Sequence, residues 1–220
     1  MVRPKSADAL RVLQVGTPVL RQRAVEVPAA EVTSDSVSEL VALMWATLEE
    51  VPGVGLAAPQ VGDSRRVVVV QDPPEFVERL SESQQAERER EPIEPYVLIN
   101  PELTLLGPET RTFFEGCLSV EGYVAAVQRV REVEVRFVDV AGQMRRQRVR
   151  GWHARILQHE VDHLDGILYV DRMHTRTLCA EDLYPAYGSL TANEDASAPT
   201  PSIHATDGGR SATEAETTSR

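Results

Sequence analysis

The sequence predicts an α+β fold: mostly antiparallel strands packed around a central, metal-binding helix that carries a His-Glu-x-x-His motif, with a further helix near the N-terminus. Three observations carry that expectation. Apolar residues recur at helical spacing across 37–48 and again across 156–164. Between those stretches come short β-branched or alternating runs, punctuated by Gly-Pro and Ala-Gly turns. Hydrophobic residues make up 42% of the chain and cysteines number two, so the fold rests on a core and not on a disulfide framework.

Ser34 or Asp35 is placed to cap the first helix, whose apolar positions are Val37, Leu40, Val41, Met44 and Leu48. Pro52 and Gly53 end it. Residues 67–70 are all valine and read as a buried strand. The charged stretch 75–94 reads as a solvated surface insertion. Residues 96–99 form a second apolar run, stopped by Asn100-Pro101. Leu103, Leu105, Thr112, Phe114, Val133, Val135 and Phe137 mark alternating strands, with Gly107-Pro108 and Ala141-Gly142 as turns. Residues 145–150 read as the return strand of a hairpin. From Trp152 the period becomes helical through Ile156, Leu157, Glu160, Val161 and Leu164, and Gly166 ends it. The stretch 189–220 is dominated by Ala, Ser and Thr, with Leu190 and Ile203 as its large aliphatics. It cannot bury enough surface to offset its chain entropy, so the chain divides into one domain, 1–188, and a disordered tail, 189–220.

Acidic residues number 34 against 23 Lys plus Arg, a net charge of −11. A nonspecific nucleic-acid binder needs the opposite balance, so no direct nucleic-acid partner is expected. No run reaches the length of a spanning helix and the polar first residues hold no apolar signal core, so no membrane partner is expected. Free thiols at Cys117 and Cys179 fit a cytoplasmic chain.

The sharpest chemical signal is Gln158-His159-Glu160-Val161-Asp162-His163. On a helix, His159 and His163 share a face and can reach one metal, while Glu160 can take a proton from a water activated there. Hydrolytic metals want a third protein ligand. The candidates are Cys117, Cys179 and several carboxylates. Cys117 lies in Glu115-Gly116-Cys117-Leu118-Ser119, and a thiolate with two imidazoles suits zinc or ferrous iron. Gln60 is the polar side chain in the small, apolar run 53–60, where a buried amide needs a partner and a developing oxyanion would be one.

The three segments together resemble the peptide deformylase family, whose motifs GxGLAAxQ, EGCLS and QHExDHLxG are matched in order at 53–60, 115–119 and 158–166. The Gly122-Tyr123 that follows resembles an actinobacterial or organellar-like branch. The resemblance implies one divalent ion held by Cys117, His159 and His163, Fe2+ foremost, with Zn2+, Ni2+ or Co2+ able to substitute. It implies Glu160 as general base and then acid, and the Gln60 amide and Leu118 N–H as oxyanion donors. It implies removal of formyl from the N-terminal formyl-Met of nascent chains, met at the ribosome, by a monomer. It also implies an arginine, Arg129, paired with Glu115 behind the cysteine. The peptide can add as a strand along Val54-Gly55. Helical spacing puts Ile156 on the His159–His163 face with Trp152 one turn back, so these two and Val54 are expected to wall the methionine slot. An HExxH zinc peptidase, taking its third ligand downstream, and a non-catalytic metal-binding homologue are the rival readings.

Overall fold

Ser34 caps the first helix, α1 (Asp35–Glu50), its hydroxyl accepting from the Val37 N–H at 3.4 Å. The fold comes from a computed structural model that describes residues 9–184, so the expected tail at 189–220 lies outside the described residues. The later helices are α2 (Pro74–Val77), α3 (Glu82–Arg88) and α4 (Gly151–Leu164). The strands are β1 (Gly55–Ala57), β2 (Val67–Asp72), β3 (Ile93–Leu105), β4 (Thr110–Cys117), β5 (Val120–Val130), β6 (Glu132–Val138), β7 (Met144–Arg150) and β8 (Cys179–Ala180). They form one sheet in the order β1-β2-β3-β6-β7 and a second in the order β4-β5-β8. The pairings within both sheets are antiparallel.

The valine run of β2 is apolar at every position because both of its faces are covered. Val67 and Val69 pack with Val37, Leu40, Met44 and Leu48 of α1. Val68 and Val70 point the other way and pack with Leu157 and Leu164 of α4, together with Leu98, Val133 and Val135. The large sheet therefore separates the two long helices. On its opposite side α4 meets the second sheet, through β5. Gly166 follows α4 at φ +75, and a Cβ there would lie 2.8 Å from the Arg21 carbonyl. Both conditions select glycine, and they stop the helix where the sequence places its end.

Two expectations need correction. Asn100-Pro101 does not stop the strand. β3 continues to Leu105 through a bulge, its register shifting between Ile99 and Glu102. Asn100 adopts φ +51, and its side chain pairs with Val27 twice, accepting from the N–H and donating to the carbonyl, each at 2.8 Å. A bulge also tolerates the N–H that Pro101 lacks. Nor is 75–94 solvated throughout. It holds α2 from Glu75 on, α3 and the start of β3, and Arg90 clamps the fully buried Asp72 at 2.7 and 2.9 Å. A buried carboxylate demands such a partner, which ties the charged segment to the domain. Among the described residues no helix is long and apolar enough to cross a membrane.

Candidate metal centre

β4 and α4 face each other along a seam. Glu115 and Cys117, two apart on a strand, point to one side; His159 and His163, four apart on a helix, point back at them. Cys117 Sγ and one nitrogen of each histidine lie within 4.8 Å of one another. Cys117 Sγ is 3.2 Å from His163 Nε2, and the two imidazole centroids are 5.0 Å apart. Neither Cys179 nor His174 joins this group: Cys179 pairs with Val124 in the small sheet, and His174 is exposed.

The donor set fits a divalent ion on its own chemistry. Glu115 Oε2 lies 2.9 Å from His159 Nδ1. A carboxylate only accepts, so Nδ1 carries the proton and Nε2 keeps its lone pair for a ligand role. Burial raises the cost of charging Glu115, but His159 and Arg129 outweigh it and hold the carboxyl well below its usual range. His163 Nδ1 is buried without a hydrogen-bond partner among the described residues, and burial pushes this imidazole far below its ordinary pKa. A neutral imidazole is the form that binds metal.

Glu160 is buried, and its Oε2 has no hydrogen-bond partner among the described residues. Burial pushes its carboxyl up to about 7. Gly55 is what makes room for it: a Cβ at that position would sit 2.3 Å from Glu160 Oε1. Gln60 is 2% exposed and fixed at both ends of its amide. Its Oε1 accepts from the Ala57 N–H at 2.8 Å, which turns Nε2 toward Ser119 Oγ at 3.2 Å and Cys117 Sγ at 3.7 Å. Leu118 and Ser119 are the two-residue reversal between β4 and β5, with Cys117 paired to Val120. The Leu118 N–H is thus adjacent to the thiol by covalent connection.

Arg129 grips Glu115 through two contacts, 3.0 and 2.9 Å, both groups being buried. The sequence reading missed the rest of this network. Arg155 also donates to Glu115, and to the Val127 and Arg111 carbonyls at 3.0 and 2.6 Å. Asp162 receives Arg129 on one side and Arg172 on the other. Arg155 and His159 are one helical turn apart, and that spacing was the signal available for it. A cavity of about 600 Å³ opens behind this network beside Phe113, lined by Arg88, Arg111, Arg129, Arg131 and Arg155. Each of these guanidiniums is already paired with a carboxylate, from Glu87, Glu89, Glu109, Glu115 or Asp162.

Of the residues expected to wall a substrate slot, Val54, Trp152 and Ile156 share one apolar cluster. Ile156 is only 4% exposed. Trp152 turns its ring to Phe113, 6.0 Å away, and to the guanidiniums of Arg90 and Arg155. His153, on the same helix as His159 and His163, lies outside the site, its Nε2 2.7 Å from the Tyr96 hydroxyl.

Comparison with known proteins identifies the family of the chain. The sequence profile of the polypeptide deformylase family matches residues 9–178. A chloroplastic peptide deformylase 1A of Solanum lycopersicum is 42% identical over 166 residues, 76% of this chain, and the chain spans 60% of that relative's length. Peptide deformylase 3 of Streptomyces avermitilis is 39% identical over 189 residues, 86% of this chain and 82% of the relative. Among solved structures, a class I type b peptide deformylase from Acinetobacter baumannii, bound to Met-Ala-Ser, superposes with a TM-score of 0.67 at 36% identity, covering 75% of this chain and 98% of that one. A profile match across most of the chain, relatives at this identity and a shared fold place the chain in the polypeptide deformylase family.

Proposed function

We propose that this chain hydrolyses the formamide bond of N-terminal formyl-methionine on new polypeptides, giving formate and a free α-amine. The observation that carries the reading is the convergence of Cys117, His159 and His163 next to an oriented Gln60 amide and a buried Glu160 whose Oε2 has no hydrogen-bond partner among the described residues. Cys117, His159 and His163 would hold one divalent ion, with Fe2+ favoured by the thiolate–imidazole set and Zn2+, Ni2+ or Co2+ as substitutes. Bound there, the ion supplies Lewis acidity toward the attacking water and the formyl oxygen.

The chain's own groups handle protons and charge. Glu160 takes a proton from the water as it attacks the formyl carbon, and later returns it to the leaving amine. A carboxyl raised to about 7 is matched to both directions of transfer near neutral pH. Gln60 Nε2–H and the Leu118 N–H donate to the formyl oxygen as it gains charge; losing one such donor typically costs about 2.7–4 kcal/mol of barrier. β1 ends the large sheet, so its outer edge offers main-chain groups to an incoming peptide along Val54-Gly55. The tripeptide in the Acinetobacter structure begins with Met, which supports the same substrate class here.

The catalytic unit in this reading is one domain, 1–188, acting as a monomer in the cytoplasm on chains emerging from the ribosome, with 189–220 dispensable for chemistry. Protein purified anaerobically with iron should release formate from formyl-Met-Ala-Ser and lose both activity and iron in the Cys117→Ala variant. Iron-loaded protein that cleaves internal peptide bonds but leaves the formyl group would overturn the reading.

A further inference from the structure

We propose that Gln14 is a positioning residue that locks the Leu118 hairpin tip against the Gln60 segment, holding the two oxyanion donors in register. The inference rests on the deformylase reading above. Gln60 and Cys117 are 57 residues apart in sequence; Gln60 lies in the turn after β1 of the large sheet, and Cys117 ends β4 of the small one. Residues 13–15 run across both as a strap. The Leu13 N–H donates to the Gln60 carbonyl at 2.8 Å, and the Val15 N–H donates to the Ser119 carbonyl at 2.7 Å. Between them the Gln14 side chain uses both ends of its amide on the hairpin tip. Nε2 donates to the Leu118 carbonyl at 2.9 Å, and Oε1 accepts from the Glu121 N–H at 3.2 Å.

The chemistry of the position demands an amide. Leu118 presents an acceptor and Glu121 a donor, and a primary amide answers both from two adjacent atoms. The strap is itself fixed, since the Gln14 carbonyl accepts from the Thr17 N–H at 3.0 Å and the Thr17 hydroxyl at 2.7 Å. A two-residue reversal has few internal constraints, and the side chain of Leu118 is only partly buried. Among the described residues, without Gln14 the tip would be held from the strap side by the Val15–Ser119 bond alone; the Leu118–Ser119 peptide could then tilt, and with it, through the Leu118 Cα, the neighbouring peptide that carries the Leu118 N–H. Donor alignment matters most where charge is greatest, so the loss falls on the transition state and spares substrate binding.

Two variants of the iron-loaded, full-length protein test this with formyl-Met-Ala-Ser. Gln14→Met keeps the side-chain length and removes both hydrogen bonds; Gln14→Glu keeps the acceptor and sets an oxygen against the Leu118 carbonyl. Complete loss of one oxyanion donor costs about 10²–10³ in kcat, so a misaligned donor should cost roughly 5–30-fold in Gln14→Met and more in Gln14→Glu. KM should stay within about twofold, and metal content should be unchanged, as for any interaction made only in the transition state. Assays well below the melting temperature of each variant separate this from simple loss of stability. If both variants keep native kcat, or if their losses follow metal loss or a rise in KM, the inference is overturned while the deformylase reading stands. A native protein that releases no formate overturns both.

Discussion

The two sides of α4 are built from opposite chemistry. Toward the large sheet it presents Ala154, Leu157 and Leu164 to Val68, Val70 and Leu98. Toward β4 and β5 it presents Arg155, Gln158, His159 and Asp162. There Gln158 pairs with the Val130 peptide, donating at 2.8 Å and accepting at 3.2 Å, as a neighbouring strand would. Arg155 and His159 converge on Glu115, and Asp162 on Arg129. The apolar side stabilises without direction, because dispersion and the hydrophobic effect tolerate small shifts. The charged side adds less net stability, since desolvation offsets much of the Coulombic gain. What it supplies is aim: these donors and acceptors fix a bearing for His159, or for β4, which carries Cys117, and its hairpin partner β5. One helix thus separates holding the domain together from pointing the site, and substitutions on its two sides should fail in different ways.

The largest effect belongs to Glu160, whose carboxyl lies between the two sides under Gly55. Glu160→Gln should keep metal content and melting temperature while the rate of formate release falls by about 10²–10⁴. Activity within tenfold of native would remove the general-base role. Next is Glu115, which serves Arg129, Arg155 and His159 at once. Glu115→Gln leaves buried guanidiniums short of charge, so unfolding by urea should show a loss of about 3–5 kcal/mol. Metal affinity, measured by competition with a chelator, should weaken about 10–100-fold as His159 loses its orienting partner. Leu157→Ala is the contrasting case. Emptying a fully buried leucine position should cost about 2–5 kcal/mol of stability. Metal affinity and kcat per folded molecule should not change. A Leu157→Ala protein with weakened metal binding would show that the two sides are not separable.

That division also explains what could be read before the structure. The apolar side of α4, the α1 cap and the valine strand follow local periodicity, and local periodicity survives in a sequence. Cys117, His159, Glu160, His163 and Gln60 stood out because short motifs fix their spacing. Arg155 and Arg172 did not, and Asp162 stood in its motif without a role, because a charged residue reads as surface until its partners are known; those partners are Glu115 on β4 for Arg155, Arg129 on β5 for Asp162, and Asp162 itself for Arg172. The bulge at Asn100-Pro101 was hidden for a related reason: what rescues it is Val27, a residue distant in sequence. Residues 75–94 read as solvated because the buried Asp72 that anchors them gives no sign of its burial in the sequence. His153, close in sequence to His159, points to Tyr96 instead, since six residues along a helix is not one face.

His153 supplies the mildest test of the division. It starts on the same helix as the ligands but belongs, by its packing, to the stabilising side. Tyr96 stacks edge-on against it at 5.9 Å and also meets Phe137 of the apolar core. Burial pushes the imidazole down to about 4 and moves the Tyr96 hydroxyl upward, so the native pair is neutral, with the tyrosine donating to Nε2. The unfolded chain takes up a proton near the ordinary histidine value of about 6.5. Between those two values the unfolded state binds more protons than the native state, so stability must fall as pH drops from about 6.5 toward 4, and it is fully present above that window. The imidazole is partly accessible, so the expected change is about 1–3 kcal/mol across the window. His153→Gln keeps an acceptor for the Tyr96 hydroxyl and cannot titrate. Urea unfolding of native and variant protein at stepped pH should therefore give curves that run together near neutrality and separate below it, the native falling faster. If the two stay parallel to pH 4, His153 is not a buried neutral partner of Tyr96, and the acid limit of the fold is set elsewhere.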